Sequence, residues 1–122
     1  MESKQFSLRA RARSFAYAWM GLKAMLATEH NAYIHLALTL MTLALGCIIR
    51  LTAIECTLLL FSIALVWMAE LFNTAIEKTT DLISKEQHPQ IKLIKDMSAA
   101  AVLIASIVAF LIGCIIFIPK LF

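Results

Sequence analysis

The chain has 122 residues, 61% of them hydrophobic, and a formal net charge of +3. A soluble domain sits nearer about 45–50% apolar, and so short a chain has too little interior to hide the excess. Lipid is the expected solvent, and an ordinary soluble domain is excluded. The charge is mild and its basic residues stand at the ends of apolar runs, which argues for anionic headgroups and against nucleic acid as partner. There is room for one domain over residues 1–122, without linker or internal repeat. Cys47, Cys56 and Cys114 lie in or beside apolar runs, show no CxxC pairing, and read as small buried hydrophobes.

The first predicted element covers about residues 6–27. Phe15, Trp19, Leu22 and Leu26 follow the i, i+4, i+7, i+11 rhythm of one helical face, with Arg9, Arg11, Arg13 and Lys23 interspersed. This pattern predicts an amphipathic helix lying on the membrane surface. The alternative is a frayed basic tail. No apolar core of the signal-peptide kind is present in this charged stretch.

Three spans follow. Residues 32–49, "AYIHLALTLMTLALGCII", carry no formal charge, and neither do residues 56–69 or 97–118. A crossing helix needs about 20 mostly apolar residues. The middle run must therefore extend to about 53–74, which brings Glu55 and Glu70 toward opposite interfaces. Lys4, Arg9, Arg11, Arg13 and Lys23 precede the first span, and Lys78, Lys85, Lys92 and Lys95 lie between the second and third. Arg50 and Lys120 stand alone on the other side. The positive-inside bias puts the N-terminus and the 78–96 segment in the cytoplasm and the C-terminus outside.

The middle span exits as "AELFNTAIEKTTD". From residue 53 to 70 a helix rises about 26 Å, so Glu70 falls near the cytoplasmic edge of a core about 30 Å thick. Glu70, Glu77 and Asp81 fall within about 40° of one another around a helix, flanked by Asn73 and Thr74. Glu29 enters the same layer just before the first span, and Lys95 and Asp96 just before the third. For Asp81, Glu86 and Lys78 alone, solvated helix ends account for the pattern. Glu70 resists that reading, because an ionisable group beside hydrocarbon is costly unless it faces a polar interior. Paired carboxylates at this level suit a hard cation such as Mg²⁺, which keeps waters and takes substrate phosphates. His35 reads as a hydrogen-bonded interior group rather than a metal ligand, and His88, before Pro89, as a residue ending a helix in a cap or loop.

"ELFNTAIEKTTDLI", then "EQHP" and "IKDMSAAAVLIA", resembles the small integral-membrane lipid kinases of bacteria, the prokaryotic diacylglycerol and undecaprenol kinases. The resemblance extends to "YAWMGLKA" at 17–24, "TEHNAYIH" at 28–35 and the ending "IIFIPK". It implies an all-α membrane protein of the bacterial inner membrane. The implied assembly is a homotrimer of subunits with a surface helix and three spans, transferring the γ-phosphoryl of MgATP to a lipid hydroxyl. By that resemblance Glu70 matches the general base, and Glu29 and Glu77 the metal ligands. Tyr17, Glu29, Glu77, Glu86, His88, Lys95 and Asp96 match nucleotide-contacting positions. Asn73 and Asp81 match further active-site positions, and Glu70 and Ala99 lipid-contacting ones. Ser98-Ala99 departs from the glycine-containing pair of many relatives. A nucleotide-contacting arginine falls beside Ala10, with Arg9, Arg11 and Arg13 open as its replacement.

The chemistry is consistent with the residues themselves. Gly21, Gly46 and Gly113 are too scattered to form a phosphate-cradling loop. Phosphate charge must then be met by metal, by Lys95 and by the N-terminal arginines. "TEHNAYIH" and "IIFIPK" resemble the undecaprenol kinase branch more than the diacylglycerol branch, and that resemblance favours undecaprenol as acceptor, with diacylglycerol as the alternative. A reading of another class is a small proton-coupled transporter. Transporter sites lie near the bilayer midplane, whereas these acids gather at one edge. A purely structural role leaves their convergence unexplained.

Overall fold

The computed structural model describes residues 7–122; Lys4 and Phe6, which enter the charge count and the first helix boundary, lie outside the described residues. The described residues form α1 (Leu8–Thr28), α2 (His30–Ile49), α3 (Ala53–Ile83) and α4 (Pro89–Leu121). α2, α3 and α4 are each long and apolar enough to cross a membrane. α2, with 20 residues, is about 30 Å long and matches the hydrocarbon core. α3, with 31 residues, and α4, with 33, are about 46 and 50 Å long. Each therefore overshoots the core by about 15 Å or more. The overshoot of α3 is the stretch that carries Asn73, Glu77 and Asp81.

One residue separates α1 from α2. Glu29 is extended, with φ −111° and ψ 117°, and serves as C-cap of the first helix and N-cap of the second. Its N–H donates to Met25 O at 2.9 Å, and its carbonyl accepts from Ala32 N at 3.2 Å. Its carboxylate makes no capping bond, so the side chain is left for other partners.

Arg50 closes α2 in the left-handed region at φ 55°. Gly46 leaves room for the Leu51 side chain, since a Cβ there would stand 3.0 Å from Leu51 Cδ1. Thr52 and Glu55 then start α3 with a reciprocal capping box. Lys120 Nζ reaches Glu55 at 3.1 Å and clips the end of α4 to the start of α3. At the opposite end, Pro89 occupies the first turn of α4 and His88 Nδ1 accepts from Gln90 N at 3.2 Å. His88 thus begins a helix rather than ending one. The X-Pro restriction on backbone conformation keeps His88 extended, the geometry that an N-cap requires.

α4 packs along α3, whereas α2 meets α3 over a much shorter length. The buried set is small and unusually polar. Met25, Ala32, Leu59, Val66, Ala105 and Ile116 are accompanied by Ser62, Glu70, Thr74, Thr80 and Ser98. Large apolar side chains point outward instead, Phe61 being 76% and Ile115 72% exposed. This distribution inverts the soluble pattern, as a lipid solvent allows. It also corrects the cysteine expectation: Cys47 and Cys56 are exposed and Cys114 half-buried. In an apolar solvent a small apolar side chain gains little from being covered by protein.

α1 covers most of the segment expected to form the first helix. Leu22 and Leu26 are partly covered and Met25 is buried, while Phe15 and Trp19 remain exposed, Trp19 under the Lys23 ammonium.

Candidate active site

The site is built from the overshoot of α3, the single-residue break before α2 and the first turns of α4. Glu70 is 5% exposed, yet it is not unpaired: His35 Nε2 lies 2.6 Å from Glu70 Oε1. The sequence gives His35 an interior hydrogen-bonded role; its partner is fixed only by the packing of α2 on α3. Three residues further along α3, Asn73 Nδ2 donates to Glu77 Oε1 at 3.2 Å. The same amide accepts through Oδ1 from Ser98 Oγ at 2.7 Å, which joins α3 to α4. Ser98 Oγ also lies 2.9 Å from Lys95 O, so its one hydroxyl proton is shared between the two acceptors.

Two ion pairs close the layer. Lys78 Nζ reaches Glu29 Oε1 at 3.4 Å and ties the α1–α2 break to α3, and Lys95 pairs with Asp81 across α3 and α4. Asp96 pairs with Lys92 on the exposed side of α4. The exposure of these pairs makes each a weak contributor to stability. Their relevance is positional: Asn73 joins Glu77 to Ser98 on α4, Lys95 joins α4 to Asp81 on α3, and Glu29 joins α3 separately through Lys78.

Above this layer lies an open cleft of 550 Å³, lined by Asp81, Glu86, His88, Lys92, Lys95 and Asp96 among others. Below it a second, apolar cavity of 420 Å³ runs between α2, α3 and α4, with Leu38, Leu59, Val66, Phe110 and Phe117 in its wall. His35 lines its end nearest Glu70. The Glu70–His35 pair therefore stands where an apolar channel meets a polar layer. Tyr17 is exposed on α1, and Ala99 is exposed beside the buried Ser98.

Ser98, His35 and Lys78 are the residues whose connections the sequence leaves unread. Ser98 stands out only as a departure from the family pattern, yet it is the hydroxyl that anchors Asn73. A run of small residues at the start of an apolar helix is the one signal for it, because only a small side chain lets α4 approach α3 there.

Glu29 and Glu77 can be tested as ligands from their chemistry. Among the described residues no three His, Cys, Asp or Glu side chains converge as a self-sufficient metal cluster. Glu29 instead meets α3 at Lys78, one residue beyond Glu77. One or two carboxylates, with the other positions left to water and phosphate, is the donor set that Mg²⁺ takes. As carboxylate oxygen donors, Glu29 and Glu77 are of the type that ion takes.

Three helices long and apolar enough to cross a membrane, with a buried carboxylate on the middle one paired to a residue that lines an apolar cavity, define an integral membrane protein. The prokaryotic diacylglycerol kinase family matches residues 16–117. An undecaprenol kinase of Bacillus subtilis (strain 168) is 38% identical over 89% of this chain and 89% of its own length. A diacylglycerol kinase of Escherichia coli (strain K12) is 36% identical over 85% of each chain. A diacylglycerol kinase of Synechocystis is 36% identical over 88% of this chain, which spans 62% of that longer relative. The chain belongs to the prokaryotic diacylglycerol kinase family.

The Ser98 link carries a prediction. Ser98→Ala removes a buried donor and leaves Asn73 Oδ1 without its partner across the helices. Loss of such a bond costs about 1–3 kcal/mol. Reversible unfolding in mixed micelles should show a destabilisation in that range, and Ser98→Ala unfolding at the parental midpoint would remove Ser98 from the α3–α4 contact.

Proposed function

We propose that this protein is a lipid kinase that transfers the γ-phosphoryl of ATP to a membrane alcohol, undecaprenol in preference to diacylglycerol. The observation that carries this reading is the position of Glu70, between an apolar cavity and a charged cleft. A lipid hydroxyl rises no higher than the interface, and ATP descends no lower. Glu70 stands between the two. The E-x-x-N-T-A-I-E stretch and the kinase names of the relatives support the reaction class.

In this reading the acceptor O–H gives its proton to the Glu70 carboxylate. The oxygen's electron pair forms the new bond to the γ-phosphorus, and the bond to the bridging oxygen breaks to leave ADP. General-base assistance of this kind contributes about 10²–10⁴-fold, and holding both substrates in line contributes more. Glu29 and Glu77 hold Mg²⁺, which when bound neutralises phosphate charge. Asn73 orients the Glu77 carboxylate. Lys95 and Asp96, with Glu86, His88 and Tyr17, form the nucleotide side, and Asp81 holds Lys95 within it. Ala99 lines the lipid side.

The reading extends to assembly and orientation. Ala99, Ala100 and Ala101 are exposed at the cytoplasmic start of α4. Such a surface allows close approach of a neighbouring backbone. We assign it to the contact between subunits of a homotrimer, with each site shared between two chains. α1 lies on the cytoplasmic surface of the bacterial inner membrane, its exposed Phe15 and Trp19 at headgroup level. The lysine and arginine bias puts the N-terminus inside and the C-terminus outside.

Three outcomes test this. Purified protein given labelled ATP and the two lipids side by side should phosphorylate undecaprenol with the higher kcat/KM; the reverse order reassigns the acceptor. In the same assay Glu70→Gln should lower kcat by about 10²-fold or more at unchanged KM for MgATP, the signature of a lost base. Glu29→Gln and Glu77→Gln should raise that KM. Near-parental turnover by Glu70→Gln would refute the base.

A reporter fused after Phe122 should read as extracytoplasmic and one near Gln87 as cytoplasmic. A cytoplasmic C-terminus is incompatible with three spans.

Mixing tests the shared site. Glu70→Ala and Asp96→Ala subunits, each inactive alone, should regain activity when dissociated and reassembled together, since some trimers then hold one site free of both lesions. Absence of rescue after proven subunit exchange would place both residues in one chain's contribution.

A further inference from the structure

We infer that His35 is the positioning residue of the general base, holding one oxygen of Glu70 so that the other is presented to the acceptor hydroxyl. This deepens the proposed kinase reading and rests on Glu70 being its base. The argument starts from the contact. His35 Nε2 is 2.6 Å from Glu70 Oε1, with both side chains largely covered. A carboxylate able to accept a proton is an anion and has none to give. The proton in this bond therefore belongs to the imidazole, and Nε2 is the donor. That ties down Oε1.

Oε2 is then the open oxygen. Among the described residues it accepts no hydrogen bond, and no side-chain oxygen or nitrogen there is both sealed and unpartnered. So Oε2 keeps an accessible surface even though Glu70 as a whole is 5% exposed. The two oxygens are thus inequivalent, one anchored and one available.

The anchor also points the right way. His35 reaches Glu70 from α2 while lining the apolar cavity between α2, α3 and α4. The ring is at once the last polar group of that cavity and the first partner of the base. Its α2 neighbours Leu36 and Thr39 are half-covered, and Thr39 accepts from Trp67 Nε1 at 3.0 Å, a second bond that fixes α2 against α3. Trp67 precedes Glu70 by less than one turn. The backbone register that sets the His35–Glu70 distance is therefore held from two points.

Glu70 without this donor would keep its charge and chain position but lose its orientation. A misplacement of about 1 Å in a reacting group costs about 10²-fold. The consequence falls on turnover, because nucleotide contacts lie on other residues.

The test compares five proteins, the parent, His35→Leu, His35→Gln, Glu70→Gln and the Glu70→Gln/His35→Leu double variant, with the acceptor lipid, MgATP and unfolding followed in each. His35→Leu should lower kcat by about 10²-fold at unchanged KM for MgATP. His35→Gln, whose amide nitrogen reaches close to the position of Nε2, should recover at least tenfold of that loss. In a Glu70→Gln background His35→Leu should cost nothing further, since there is no base left to orient. Three results overturn the inference: His35→Leu within threefold of the parent; a loss that appears in KM for MgATP; or His35→Gln no better than His35→Leu in protein that unfolds at the parental temperature. If His35→Leu is active while Glu70→Gln is inactive, only the His35 role falls. If Glu70→Gln is itself active, it is the base assignment that has failed.

Discussion

A buried carboxylate on an apolar helix is the constraint around which the rest of the molecule is arranged. Glu70 follows a stretch from residue 56 to 69 without a formal charge, and it is nearly covered in the folded chain. Leaving such a group unpaired costs several kcal/mol, of order, whether in protein or beside hydrocarbon. The structure meets part of that cost with a partner on the neighbouring helix, His35. Because the donor sits on α2, the first and second spans must keep one register for the charge to be tolerated. The Trp67–Thr39 bond holds the same register. A requirement for stability and a requirement for geometry at the site are here satisfied by the same contacts.

The remaining polar groups extend this arrangement along α3. Thr74 and Thr80 are buried on the side where α3 meets its neighbours, and Asn73 and Glu77 are half-covered beside them. Thr80 turns its hydroxyl back onto Glu77 O, so its polarity is absorbed within the helix. Asn73 behaves differently. Its amide group donates to a carboxylate and accepts from a hydroxyl on α4, and a planar amide can do both with fixed geometry. Aspartate at this position would set a second anion against Glu77, and leucine would leave Ser98 and Glu77 without a shared partner. The residue is thereby explained as a coupling between helices as well as by its resemblance to a family position.

Much of this organisation is legible in the sequence, for identifiable reasons. Charge-free runs locate the three spans because hydrocarbon excludes unpaired charge, and the residues at 32–49 and 53 onward coincide with helices in the structure. The acids of α3 fall on one stripe because helical periodicity is a local property. Partners across helices are another matter. His35 and Glu70 are 35 positions apart, and nothing in local spacing says which α2 residue reaches which α3 residue. His88 is misread at its own level: proline after it signals a break, but a break is equally the beginning of the next helix. The cysteines fail on a solvent argument, since burial is a soluble-protein expectation carried into a chain whose surroundings are apolar.

The placement of Glu29 gives the last step. It is both the residue that ends α1 and the residue that begins α2, with no helical turn of its own. A carboxylate inside either helix would be fixed to that helix's face. At the break its backbone is extended, its side chain makes no capping bond, and it reaches Lys78 on α3 instead. In the proposed reading α1 lies on the membrane surface, and the break at Glu29 falls at the interface, where water can solvate the groups a break exposes. The same depth is where a hydrophilic nucleotide and the hydroxyl of a lipid can meet. A charged residue at the turn therefore lies at the right level without any further element to carry it there. In the proposed reading, the four helices of the described residues then suffice without a phosphate-binding loop among them. The interface itself supplies the layer in which the acids gather, and the helix ends deliver them to it.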